Sequence, residues 1–180
     1  MNNMPSSNGS GSVPDTPCAS PGRRQDAASL SVRIADITVV SGGECLRTLL
    51  GSCVGIALHD PYQKTGGLAH VMLPSSQGHT GPPGKFMDTA IPELLNQLSR
   101  MGSKVAAMTA RIAGGASMLN ASAGTSIGDQ NVAAAETELS RLRIPIVGRH
   151  CGGTSGRRML FCTQTGSVRI EVVGAGDAEI

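Results

Sequence analysis

A cysteine and a histidine stand seventeen residues apart: Cys53 ends the stretch "TLLGSC", and His70 lies within "GGLAHVMLP". A thiol attacks only as its thiolate, and an adjacent imidazole can take the proton and stabilise the charge that results. If Cys53 opens the strand "VGIALHD" and His70 lies on the returning strand, a turn near Asp60-Pro61 can bring the two side chains together. The Gly-Ser dipeptide before the cysteine removes bulk and offers backbone N–H groups, the ingredients of an oxyanion hole. The competing reading is structural. Free cysteine is among the most buried residue types, and a histidine between Ala69 and Val71 can be a hydrogen-bonded core residue. Spacing alone leaves both readings open.

Other residues compete for the same roles. His59, His79 and His150 are alternative bases, although His79 sits in a polar, glycine-rich loop and His150 adjoins Cys151. A zinc site drawn from His150, Cys151, Cys45 and Cys162 lacks any recognised ligand spacing. A thiol redox sensor would need a resolving cysteine, for which Cys45 is the sequence-local candidate. Two glycine-rich stretches, "AGGASM" and "CGGTSGRR", lack the GK[ST] ending of a Walker loop; they read as turns and close backbone approaches that can wall a cleft.

Composition removes whole classes of function. The chain of 180 residues suffices for one domain with a substantial core, and only 2% of it is aromatic, so base-stacking platforms are nearly excluded. Fifteen Lys and Arg against thirteen Asp and Glu leave a net charge of +2, too little for a phosphate-neutralising surface, and no nucleic-acid partner is expected. Five cysteines, an odd number without a CxxC pair, fit reduced thiols. No signal-peptide pattern or membrane-spanning apolar run is present, so a soluble cytoplasmic protein without membrane insertion is expected.

The elements that must hold these groups begin after residue 28. Residues 1–28, including Cys18, are rich in Pro, Ser, Gly and Asn and predict a disordered tail; residues 29–180 predict a single domain. Short β-like runs follow in "VRIADITVV", "VGIALHD", "GGLAHVML", "VAAMTARIAGG", "PIVGRH", "RRMLFCT" and "SVRIEVV". Ile91, Leu94, Leu95, Leu98 and Met101 fall at helical spacing, with Asp88 as the expected cap and Pro92 in the first turn. A second helix is expected where Val132, Ala135, Leu139 and Leu142 share one face. Strands outnumber helices, which predicts an α/β domain of layered strands with packed helices.

Taken together, "TLLGSCVGIALHD", "GGLAHVMLP", "ARIAGGASM", "IGDQNVAAAETELSRLRIPIV" and "GGTSGRRMLFCTQTG" resemble, in order and spacing, the chemoreceptor glutamine deamidase family, CheD, over residues 32–173. The resemblance implies an α/β layered sandwich of strands with packed helices and a cysteine-hydrolase site like that of deamidating toxins. It implies an amidohydrolase that converts glutamine side chains of methyl-accepting chemotaxis receptors to glutamate. Cys53 would be the nucleophile, His70 the base and acid, a thioester the intermediate, and no metal or organic cofactor would enter. A CheC-type phosphatase is the further partner it implies, with a regulatory binding module as the alternative function. In the family a threonine six residues before the cysteine is associated with orienting the histidine. Here that place is Arg47, and Thr48 stands five residues before Cys53, so Thr48 is the expected orienter if the intervening turn is one residue shorter.

Overall fold

The computed structural model describes residues 29–117, 124–172 and 174–180, so the tail expected over residues 1–28, with Cys18, lies outside the described residues. Two five-stranded sheets carry the fold. The first has the order β2-β5-β4-β6-β7, built from β2 (Ile37–Ser41), β4 (Val54–Asp60), β5 (Thr65–Val71), β6 (Thr109–Gly114) and β7 (Ile146–Cys151). The second has the order β1-β3-β8-β9-β10, from β1 (Leu30–Ser31), β3 (Cys45–Leu50), β8 (Arg157–Cys162), β9 (Val168–Val172) and β10 (Asp177–Glu179). Two α-helices, α1 (Met87–Arg100) and α2 (Ile127–Arg141), cover one face of the first sheet.

Two cores follow from strand alternation. On one face of the first sheet Val54, Ile56 and Leu58 of β4 meet Ile91, Leu94 and Leu98 of α1 and Val132, Ala135 and Leu139 of α2. On the other face, Ala57 and Leu68 meet Leu46, Leu50, Met159, Phe161 and Ile170 of the second sheet. Because both faces of β4 and β5 are covered, every residue of the two strands is buried. This explains why they read as near-continuous apolar runs rather than as alternating ones.

Several expectations need correction. "VRIADITVV" is not one strand: Ala35 takes φ 64°, and the left-handed turn there leaves residues 32–36 outside any strand, so that only Ile37 to Val40 of the segment belong to β2. Asp88 does not cap α1, which starts from Phe86 without a side-chain cap. Its carboxylate instead accepts hydrogen bonds from the Ser75 and Ser76 hydroxyls and the Ser76 N–H, tying the preceding loop to the helix. Pro92 lies beyond the first turn of α1, so the helix forgoes one intrahelical hydrogen bond there. The second helix is capped by Ser126, whose hydroxyl accepts from the Asp129 N–H while the Asp129 carboxylate accepts from the Ser126 N–H. Among the described residues no helix is long and apolar enough to cross a membrane.

Candidate active site

Cys53 occupies the point where the chain crosses from one sheet to the other. β3 of the second sheet ends at Leu50 and β4 of the first begins at Val54, so Gly51, Ser52 and Cys53 make the whole passage. Such a crossing takes three backbone units out of both ladders, and their polar groups must find other partners. They do so on the carbonyl side. The Gly51 carbonyl accepts from the Ala116 N–H at 2.8 Å, and the Cys53 carbonyl accepts from the Gly115 N–H at 2.8 Å. The Ser52 carbonyl accepts from the Asn131 side chain at 3.0 Å. The "AGGAS" stretch therefore grips the back of the cysteine turn. Gly114 has φ 111°, and a Cβ added there would collide with the Cys53 carbonyl, so only glycine allows this approach.

His70 reaches the same place from β5. β4 and β5 pair antiparallel with Gly55 opposite His70, and Cys53 lies two residues before Gly55, on the same face of the sheet. That face looks toward the second sheet, since a Cβ on Gly55 would meet the Met159 sulfur at 2.7 Å and Leu50 at 3.0 Å. Thiol and imidazole are thus diagonal neighbours across a glycine. Among the described residues no hydrogen bond joins Cys53 to His70.

The imidazole is held from the opposite sheet. Thr48 lies on the inward face of β3 with Leu46 and Leu50, and its Oγ1 is 2.7 Å from His70 Nδ1. The same hydroxyl donates its one hydrogen to the Val32 carbonyl at 2.8 Å. It must then accept from the ring, which places the hydrogen on Nδ1 and leaves the Nε2 lone pair open. Parallel pairing of β1 with β3, extended by the Val32 N–H donating to the Arg47 carbonyl, sets Val32 beside Thr48. This carbonyl anchor carries no sequence signal, because any residue type supplies a carbonyl.

Burial favours the neutral form of both groups. Burial pushes the Cys53 thiol above its ordinary 9.0, opposed by its own backbone N–H. Burial holds His70 below its ordinary 6.5, opposed by the Val32 carbonyl and by the negative charge of Asp36. The directions describe a thiol beside a neutral imidazole, not a standing thiolate–imidazolium pair; proton transfer to Nε2 would accompany attack.

The other candidates lie elsewhere. His59, also buried, places Nε2 2.9 Å from the Thr163 carbonyl at the far end of the hairpin. His150 Nδ1 sits 2.8 Å from Arg157, whose guanidinium also donates to the His150 and Gly152 carbonyls and so shapes the "CGGTSG" turn. Cys45 is paired in register with Cys162 on the second sheet, in a small cluster with Leu160 and away from Cys53. Among the described residues no group of three or more His, Cys, Asp or Glu is arranged to hold a metal ion. A groove of about 460 Å³ runs beside the cysteine turn, lined by Leu49, Leu50, Gly51, Arg158, Glu171 and Val172 among others.

Asn131 is the residue that sequence reasoning missed. It is fully buried on α2, and its Nδ2 donates to both the Ser52 and Met72 carbonyls at 3.0 Å. The available signal was an amide directly beside Val132 on an otherwise apolar stripe, where burial demands a partner.

The chain matches the sequence model of the CheD family, described as chemotactic sensory transduction, over residues 72–172, more than half its length. It is 39% identical over 143 residues to a protein of Methanococcus maripaludis named "Probable chemoreceptor glutamine deamidase CheD", spanning 78% of this chain and 93% of that one. It is 41% identical over 161 residues to a protein of the same name from Clostridium botulinum strain Hall, spanning 86% of this chain and 99% of that one.

Proposed function

This chain belongs to the CheD family of chemotactic sensory transduction proteins, and on that premise we propose that it deamidates glutamine side chains of methyl-accepting chemotaxis receptors to glutamate. The observation that carries the chemistry is the Val32–Thr48–His70 chain of hydrogen bonds. It supports an imidazole held in the tautomer a general base requires, on the same sheet face as a cysteine in a gripped turn.

The reaction proceeds as follows. Cys53 Sγ attacks the carboxamide carbon while its proton passes to His70 Nε2, and negative charge develops on the carboxamide oxygen. The Cys53 N–H is the donor best placed for that oxygen, since its own carbonyl and both preceding carbonyls are turned to other partners. The intermediate collapses as His70 returns the proton to the departing nitrogen, which leaves as ammonia and gives a thioester. His70 then draws a proton from water, the hydroxide adds to the thioester, and the thiol leaves with glutamate formed. Each turnover puts one negative charge on a receptor helix and so alters the electrostatics of a signalling bundle. The groove beside Gly51 offers apolar walls from Leu49 and Val172 to residues flanking the glutamine.

The deciding experiment is mass spectrometry of receptors co-expressed with the full chain or with its Cys53→Ala variant. Helical glutamines should be converted to glutamate by the parent and left intact by the variant. Conversion that persists with Cys53→Ala would remove Cys53 from the mechanism. The reading also assigns the reaction to residues 29–180, so a chain beginning near Ala28 should deamidate at the parent rate; a large drop would give residues 1–28 a part in substrate capture.

A further inference from the structure

Asn131 is a polar side chain with no access to solvent, one residue from Val132 on the buried stripe of α2. Its two Nδ2 hydrogens go to carbonyls at the ends of two different strands, Ser52 O and Met72 O, each at 3.0 Å. Ser52 immediately precedes Cys53, and Met72 lies two residues beyond His70. Of the three successive carbonyls in the cysteine turn, those of Gly51 and Cys53 are held by backbone N–H groups. Only that of Ser52 is held by a side chain.

The consequence lies in the geometry of the peptide unit. In a planar trans peptide the carbonyl and the following N–H point in opposite directions. Drawing the Ser52 carbonyl toward α2, on one side of the first sheet, turns the Cys53 N–H toward the other side, where the thiol and His70 lie. Among the described residues that N–H donates to no other residue, and it lies near enough to its own thiol to favour the thiolate. Asn131 is also poorly suited to a purely stabilising role, because its buried Oδ1 has no hydrogen-bond partner among the described residues.

We propose that Asn131 is a positioning residue that aims the Cys53 N–H at the oxyanion of the tetrahedral intermediate, an inference that rests on the deamidase reading above. The substrate never touches it. It acts through the Ser52–Cys53 peptide, and removing it frees that peptide to rotate.

The test exploits the difference between two reactions of one thiol. Deamidation passes through an oxyanion, whereas alkylation of Cys53 by iodoacetamide does not. With a purified chemoreceptor cytoplasmic fragment as substrate, Asn131→Ala in the full chain should lower kcat by about 10–10²-fold, short of the ~10²–10³ for outright loss of a donor. KM should hold within about twofold, because the interaction is made in the transition state. The Cys53 alkylation rate should fall by less than about threefold, since alkylation draws on the aimed N–H only through its weak support of the thiolate and not through an oxyanion. Equal losses in deamidation and alkylation would mean that Asn131 merely holds Cys53 against His70, and no loss in either would mean that it aims nothing; each overturns the proposal. If Asn131→Ala does not fold, Asn131→Asp keeps the shape while its carboxylate cannot donate, and the same split is expected. Failure of both variants to fold would assign Asn131 to the fold alone and overturn the proposal. Deamidation surviving in Cys53→Ala would instead sink the deamidase mechanism itself, whatever Asn131 does.

Discussion

The two ends of the β4–β5 hairpin are built alike and hold their histidines differently. At one end His70 of β5 stands opposite Gly55 of β4; at the other, His59 of β4 stands opposite Gly66 of β5. Both histidines are buried, and burial is the leading cause of the downward pKa shift in both. Both glycines face large side chains of the second sheet: a Cβ on Gly55 would lie 2.7 Å from the Met159 sulfur, and one on Gly66 would lie 2.6 Å from Phe161. The difference is in which ring nitrogen is engaged and what lies beyond the other. His59 spends Nε2 on the Thr163 carbonyl, has Nδ1 where a Cβ on Gly166 would fall, and meets Phe161 edge-on at 6.1 Å between ring centroids. His70 spends Nδ1 on Thr48, which leaves the Nε2 lone pair open, and shares a sheet face with Cys53. Burial and titration do not separate the two histidines. Hydrogen-bond topology does.

The largest effect should come from exchanging roles for deletions. A positioned general base contributes about 10²–10⁴-fold, so His70→Ala should lose at least that much turnover while His59→Ala retains turnover per folded molecule and melts at lower temperature. Receptor deamidation and thermal melting, measured on both variants, check this. Comparable activity losses at both ends would break the contrast. Because Cys53 is pushed above 9.0 and His70 below 6.5, parent turnover should hold between those values and fall as pH drops through the lowered histidine pKa, where the base becomes protonated.

A smaller effect is expected at the hydroxyl that separates the two ends. Thr48→Val keeps the volume and removes one neutral hydrogen bond to His70, worth roughly 1 kcal/mol, so turnover should fall about five- to tenfold. Thr48→Ser restores the hydroxyl and should recover most of it. If Thr48→Val cost as much as His70→Ala, the hydroxyl would be doing more than orientation.

How much of this could be read in the chain varies with the physics of each part. The hairpin was legible because strands covered on both faces are written as unbroken apolar runs; those runs allowed Cys53 and His70 to meet, and the resemblance to the CheD family singled them out as a pair. β3 was not legible as a strand: Thr48 stands between the inward apolar residues Leu46 and Leu50, and apolar Cys45 and exposed Leu49 flank Arg47 on the outward face, so no polar–apolar alternation is left. β10, "DAE", is a three-residue strand paired to β9 that turns only Ala178 toward the core, too little to leave a pattern. Strand order was beyond reach, because the parallel β1–β3 and β6–β7 pairs join segments distant in sequence. The Val32 carbonyl and the Asn131 amide belong to the same class of hidden feature. The carbonyl could come from any residue type, and the amide, though visible on the apolar stripe of α2, names its backbone partners only once the strands are placed.

The smallest effect concerns stability and cuts across the contrast. For both histidines the folded pKa lies below 6.5, so as pH falls through that value the unfolded chain takes up protons that the folded chain refuses. Each histidine therefore destabilises the fold progressively between 6.5 and its own lowered pKa, and adds nothing further below it. Replacing either by Gln removes a group that must charge on acidification, so each variant should show a shallower loss of stability over that interval than the parent. The two variants should flatten the slope alike, since desolvation is the leading cause at both sites, even though only His70→Gln abolishes turnover. Urea unfolding at a series of pH values between 5 and 7 reads the slopes. A His70→Gln slope equal to the parent's, beside a flattened His59→Gln slope, would show that His70 is solvated in solution. The His70 end would then differ from the His59 end by water access as well as by hydrogen bonding.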